Sequence, residues 1–375
     1  MQRALRAAAL LLCFALALGA VVHGSIGWLR DARLGRPTLV FDYVRMMGKR
    51  LPALAAAEAE RTVAFLGDSG VVSYPDGLTV PERLEESLRG AGDGGAVQVF
   101  SLGMSGSGPF DYYCLADRIA EARPDLIVLS VNFDHFSDSW RGAYSRPQLA
   151  GLVEPDRLPE ALALPFHWIG LTADRLLFYA AVVQTGGYEP WYWLALRQTQ
   201  VGRARDRFER WLQGGDEPTP EQRFQEAVDA RTIADLFTGP DIRHYRREGL
   251  VHHYAPTLAG LERDHPVLEI LEATVRRLRE GGARVLVYTA PVEVSWLESE
   301  GLLGPDGFAA SVAAIGDAVR AGGGTFADLH DRLPATAFRD APGHLSHPPD
   351  GPDGPLQLAR RLAPLVREEL SGDSD

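Results

Sequence analysis

Apolar residues in this chain fall into two patterns. Short, nearly continuous apolar runs occur at 62–66 (TVAFL), 97–101 (VQVFS), 126–131 (LIVLSV), 283–291 (ARVLVYTAP) and 324–328 (TFADL). Each is short enough for a strand, and the runs lack the polar alternation of a sheet with one wet face. Between them, apolar positions return at helical spacing and predict helices at about 79–88, 110–122, 267–280, 307–321 and 355–370. Thr79-Val80-Pro81-Glu82 reads as a capping box, with Pro81 near the first turn. Strands alternating with helices, the strands apolar on both sides, predict an α/β fold with a parallel sheet covered on both faces.

The alternation breaks at about 140–262. Gly186-Gly187, Gly214-Gly215 and Gly239-Pro240 punctuate this stretch, and five of the seven tryptophans (Trp140, Trp168, Trp191, Trp193 and Trp211) lie in it. Arg197 to Arg210 is polar and Arg-rich at helical spacing. A helical insertion is expected, its tryptophans serving either as core or as a binding surface. No repeat of fixed period occurs.

The N-terminus has a different character. Arg3 and Arg6 precede a run from Ala7 to Leu29 without acidic or basic charge. A basic flank and an apolar heart direct a chain to the secretory machinery. Counting Val22 to Leu29, the run reaches the roughly 20 residues a bilayer requires. Residues 1–30 are expected to form an uncleaved signal anchor, a transmembrane helix with the body at 60–370 outside the cytoplasm. The alternative is cleavage near Ala17-Leu18-Gly19, releasing a secreted protein.

Composition narrows the function. Apolar residues make up 46% and charged residues 23% of the 375 positions, which excludes disordered, collagen-like and multi-span membrane chains. A net charge of −12 argues against a nucleic-acid partner. Two cysteines cannot build a disulfide framework or a Cys₄ zinc site. His252-His253, and Asp328, His330 and Asp331 with His344 and His347, lack the spacing of a metal motif. The Gly-rich 103–108 lacks the Lys-Ser/Thr of a phosphate loop. No metal and no cofactor are expected.

The chemistry collects where predicted strands end, the usual ligand crevice of an open α/β sheet. The first strand ends at Gly67-Asp68-Ser69, the second at Gly103, the third at Asn132; Asp340, His344 and His347 precede the last helix. A serine on a strand-to-helix turn becomes a nucleophile when a histidine takes its proton and a carboxylate fixes that histidine's tautomer. The developing oxyanion needs preorganised donors, which the backbone N–H groups of Ser69 and Gly103 and the Asn132 amide can supply. Asp134, His135 and Asp138 either line this site or form an exposed loop.

Taken together, these blocks resemble the SGNH/GDSL hydrolase superfamily. FLGDSGVVSY matches the Gly-Asp-Ser block, SLGMSGSGPFDYY the glycine block, VLSVNFDHF the asparagine block and FRDAPGHLSHPPDG the acid–histidine block, in the family's order. The resemblance implies a flavodoxin-like three-layer α/β/α sandwich, Ser69 as nucleophile, Gly103 and Asn132 as oxyanion donors, and Asp340 and His344 as acid and base. Two blocks depart from the pattern. Ser130-Val131-Asn132-Phe133 stands for Gly-x-Asn-Asp, and three residues rather than two separate Asp340 from His344, so His347 stays an alternative base. An N-terminal anchor with a long insertion looks like the membrane-tethered branch, similar to the D-alanyl transfer proteins of teichoic acid modification and to alginate and cellulose O-acetylation proteins. That likeness implies an acyl-ester or polysaccharide substrate and a membrane-bound O-acyltransferase partner. A secreted carboxylesterase or deacetylase is the neighbouring reading. A non-catalytic subunit that binds polysaccharide or docks a membrane enzyme is the alternative of a different class.

Overall fold

The computed structural model describes residues 47–89, 96–137, 149, 152–169, 171–174, 176–177, 260–299, 301, 303, 307–340, 343–349 and 351–372. The elements in chain order are β1 (Arg61–Leu66), α1 (Ser69–Val72), α2 (Val80–Arg89), β2 (Val97–Ser101), α3 (Pro109–Glu121), β3 (Leu126–Val131), α4 (Leu158–Ala163), α5 (Pro266–Glu280), β4 (Arg284–Thr289), α6 (Val294–Ser299), α7 (Gly307–Ala321), β5 (Thr325–Ala327), β6 (Phe338–Asp340), β7 (His344–Leu345) and α8 (Gly354–Ser371). The five runs read as strands form one sheet in the order β2-β1-β3-β4-β5, and every pairing in it is parallel. This α/β arrangement, helices on both faces, is compatible with a three-layer sandwich. Its strand order is that of the flavodoxin-like doubly wound sheets.

Alternation along the strands explains the two layers. Ala64 and Leu66 of β1 and Ile127 and Leu129 of β3 face one core with α3, α5 and α7. Val63, Phe65, Leu126 and Val128 face the other with α2 and α8. β3 is buried at all six positions, which is why its sequence has no polar alternation. Arg277 is the largest side chain fully inside. It forms an ion pair with Asp117 and lies 4.5 Å over the Tyr113 ring, so the buried guanidinium joins α5 to α3 with its charge compensated.

The capping box on α2 forms as read: the Glu82 carboxylate accepts from Thr79 N–H and Glu82 N–H points at Thr79 Oγ1. β4 and β5 are shorter than their apolar runs. The sequence pattern missed α6 and the antiparallel β6–β7 hairpin, where Asp340 pairs with His344. Most of the insertion, including Trp140, Trp191, Trp193 and Trp211, lies outside the described residues, as do residues 1–46 and the anchor expected there. Among the described residues no helix is long and apolar enough to cross a membrane. Trp168, the described tryptophan of the insertion, packs against the larger core.

Candidate active site

β1 and β3 are neighbours in the sheet although β2 lies between them in sequence, so the chain reverses its winding direction at this pair. In doubly wound sheets that switch point opens a crevice beyond the strand ends. Ser69 follows β1 and Asn132 follows β3, which puts both on its rim.

The turn after β1 is tight because its glycines leave no volume behind. A Cβ on Gly67 would sit 2.1 Å from Val71 Cγ2, and one on Gly103 would sit 2.5 Å from the Gly67 carbonyl oxygen. Gly103 thus brings the end of β2 directly onto the backbone that carries Ser69. Met104 N–H donates to that same carbonyl, and Leu102 N–H to Phe65 O. Asp68 caps α1 by accepting from Gly70 N–H at 2.8 Å, and Ser69 takes the first helical position.

His344 meets Ser69 from the far end of the chain. Its Nε2 lies 3.1 Å from Ser69 Oγ. Tyr74 holds the two segments together: its buried hydroxyl donates to Gly70 O at 2.8 Å and accepts from Leu345 N–H at 3.0 Å. His347 faces elsewhere. Its Nδ1 donates to the Pro348 carbonyl at 2.9 Å, leaving Nε2 to accept from Arg339 at 3.3 Å, and its ring edge rests on Tyr74. Asp340 stands opposite His344 in the hairpin register; its side chain lies outside the described residues.

The third block differs from an exposed loop. Asn132, Phe133, His135 and Phe136 are all buried, His135 at 1% exposure. Residues Phe133–Phe136 form a single 3₁₀ turn capped by Asn132. His135 Nε2 lies 3.1 Å from Asp68 Oδ2, and Asn132 Nδ2 approaches the same oxygen at 3.4 Å. Asp138 lies outside the described residues.

This cluster is electrostatically coupled. Burial by itself raises the Asp68 pKa, but the hydrogen bond and charge of His135, the Gly70 N–H and the His344 charge outweigh it and hold Asp68 below the usual carboxylate value. Burial opposes the His135 cation, yet the Asp68 hydrogen bond and the Asp134 and Asp68 charges raise its pKa above that of a free imidazole. Burial, more than the nearby His135 charge relieves, pushes Asp134 up to about 7. The Asp134 Oδ1 atom is buried without a hydrogen-bond partner, 4.0 Å from His135 Nε2.

Asp68, Asp134 and His135 each offer one ligand atom, all within 4.8 Å of one another, the one grouping of this kind among the described residues. The Asp68–His135 contact has the length of an N–H···O bond, and Asp68 also carries the α1 cap, so hydrogen bonding accounts for two of the three residues and no metal is assigned. Asp328 and His330, at the end of β5, likewise form a pair of their own. His330 Nδ1 lies 2.6 Å from Asp328 Oδ1, which also accepts from Thr289 Oγ1, and the ring stacks on Phe308. Asp331 is instead paired with Arg332. His252-His253 lies outside the described residues.

Neither the protein-family models nor the curated proteins searched give a match to this chain. The chemistry therefore rests on the geometry itself: a hydroxyl on a tight turn, an imidazole within hydrogen-bond reach, and an amide and a close-packed glycine on the same rim. Sequence reasoning missed Tyr74 and left His135 undecided. The one available signal for His135 was its apolar flanks, Phe133 and Phe136, which mark a turn that packs inward.

Proposed function

We propose that this protein is an SGNH/GDSL-type serine ester hydrolase or O-acyltransferase that forms an acyl-enzyme at Ser69. The observation that carries this reading is the 3.1 Å approach of His344 Nε2 to Ser69 Oγ at the switch point of the sheet. In the forward step His344 takes the Ser69 proton as Oγ attacks the ester carbonyl carbon. The carbonyl electron pair moves onto oxygen, facing the N–H groups of Ser69 and Gly103 and the Asn132 amide. Collapse expels the alcohol, which leaves with the proton held by His344. A second hydroxyl, from water or from an acceptor, then gives its proton to His344 and takes the acyl group from Ser69, and His344 returns that proton to the departing Ser69 Oγ. The acid role falls to Asp340 by the resemblance alone, as the carboxylate that would orient the imidazole.

The four blocks in family order, with the apolar N-terminal run, favour the membrane-anchored branch. In this reading the body is extracytoplasmic, a membrane-bound O-acyltransferase delivers the acyl group, and a surface polysaccharide receives or loses it. No cofactor enters the scheme.

Labelling with a fluorophosphonate probe tests the reading directly. The full chain should label covalently and release p-nitrophenol from p-nitrophenyl acetate, whereas Ser69→Ala, folded by circular dichroism, should do neither. An unlabelled wild-type chain would move the protein to the binding-subunit reading.

A further inference from the structure

His135 is buried, belongs to neither the nucleophile nor its base, and still touches both halves of the site. We infer that His135 is a positioning residue that sets the Asn132 amide relative to Ser69 through Asp68, an inference that rests on the acyl-transfer reading above.

In the neutral ring the hydrogen-bond directions fix the tautomer. Asn132 N–H donates to His135 Nδ1 at 3.3 Å, so Nδ1 carries a lone pair and the ring proton resides on Nε2. That Nε2–H points at Asp68 Oδ2, 3.1 Å away. Asp68 in turn spends its other oxygen, Oδ1, on the Gly70 N–H of the nucleophile turn. One imidazole therefore bridges the turn after β1 and the turn after β3. The same Oδ2 accepts from Asn132 Nδ2 at 3.4 Å. An amide carries two N–H bonds in one plane. Fixing one against Asp68 fixes the direction of the other, and oxyanion stabilisation depends on that direction. His135 thus holds Asn132 twice, at its backbone and, through Asp68, at its side chain. Among the described residues, Asp68, Asp134, Asp111, His344 and Tyr288 are the titratable groups facing this centre.

The sequence departure in the third block has a counterpart here. Where the resembled pattern has an acid after the asparagine, this chain has Phe133, whose ring packs against Phe308 in the core. The polar partner comes two residues later, from His135.

A double-mutant cycle on the full chain tests the inference. His135→Phe keeps an aromatic ring, somewhat larger, and removes both nitrogens. It should lower kcat for p-nitrophenyl acetate by up to about 10²-fold, within the cost of one oxyanion donor, with KM little changed. His135→Gln, which returns an N–H toward Asp68, should recover most of that loss. Combining His135→Phe with Asn132→Ala should be no slower than Asn132→Ala alone, because both remove the same donor. Losses that multiply, or a folded His135→Phe at wild-type kcat, would overturn the assignment. Should His135→Phe fail to fold, long-range ¹H–¹⁵N correlation on the wild-type chain at about pH 9 decides. The His135 proton belongs on Nε2, and a proton on Nδ1 refutes the bridge. That spectrum needs no turnover, so failure of the esterase reading shows separately, as absent fluorophosphonate labelling.

Discussion

Single atoms separate the jobs within this site. Asn132→Ala should leave the circular dichroism spectrum unchanged and lower kcat by about 10²–10³, the usual cost of one oxyanion donor; a rate within threefold of wild type would remove Asn132 from the hole. Tyr74→Phe deletes only a hydroxyl, but that hydroxyl both donates to Gly70 O and accepts from Leu345 N–H. Leaving a buried backbone N–H unpaired costs about 1–3 kcal/mol. The variant should therefore melt earlier and turn over more slowly, because the His344 strand loses its tie to the Ser69 turn. Calorimetry and p-nitrophenol release check both, and an unchanged melting temperature would show that the tie carries no weight. Ser69 and Asn132 were legible from sequence because each stands in a short block at a strand end. Tyr74 was not: no local pattern says that its hydroxyl will meet residue 345.

At the scale of elements, the Ser69 turn depends on two missing side chains. The clash at Gly67 is with the tip of Val71, whereas the clash at Gly103 is with backbone oxygen, which has no rotamer to change. Gly103→Ala should thus push the end of β2 away from the turn, destabilise by about 1–3 kcal/mol as overpacking does, and lose more rate than its stability loss accounts for. Urea unfolding beside turnover measures the two, and a variant matching wild type in both would show that Gly103 has slack. The strands and long helices were readable because each lies in an apolar run or helical period of five or more residues. The β6–β7 hairpin, with three residues on one side and two on the other, is too short to have a period. It nonetheless delivers His344, and pairing with Phe338–Asp340 together with the Tyr74 tie fixes its direction.

For the molecule as a whole, the site carries an electrostatic cost that follows pH. Asp134 has a folded pKa of about 7 against an ordinary 3.8, chiefly because burial disfavours its charge. Below about pH 4 both folded and unfolded chains hold this proton and nothing is lost. Between about pH 4 and 7 the unfolded chain ionises first, so stability falls as pH rises through that window. Asp134→Asn should accordingly raise the melting temperature at about pH 8 and leave it nearly unchanged at about pH 4. The reverse order would place the carboxylate in a stabilising role. Under the proposed localisation, the mature chain should keep residues 7–29 and stay in the membrane fraction in high salt, since salt screens charge contacts but not hydrophobic insertion. N-terminal sequencing that begins near Ala20 would instead favour the secreted reading.

What the sequence determined by itself is the alternation of buried strands and amphipathic helices, because periodicity and caps act within a few residues of the atoms they concern. It also marked Ser69, Gly103 and Asn132 as candidates, because residues at strand ends of a parallel sheet share one rim whatever the long-range packing. The tertiary structure decided what depends on distant segments. It turned the His344 ring to Ser69 and left His347 held by Arg339 and Pro348 O. It buried His135 instead of exposing it, because Phe133 and Phe136 on either side were taken into the core. It also joined Asp68 to a ring 67 positions away, a contact set by the β1–β3 pairing and by no feature of either segment alone.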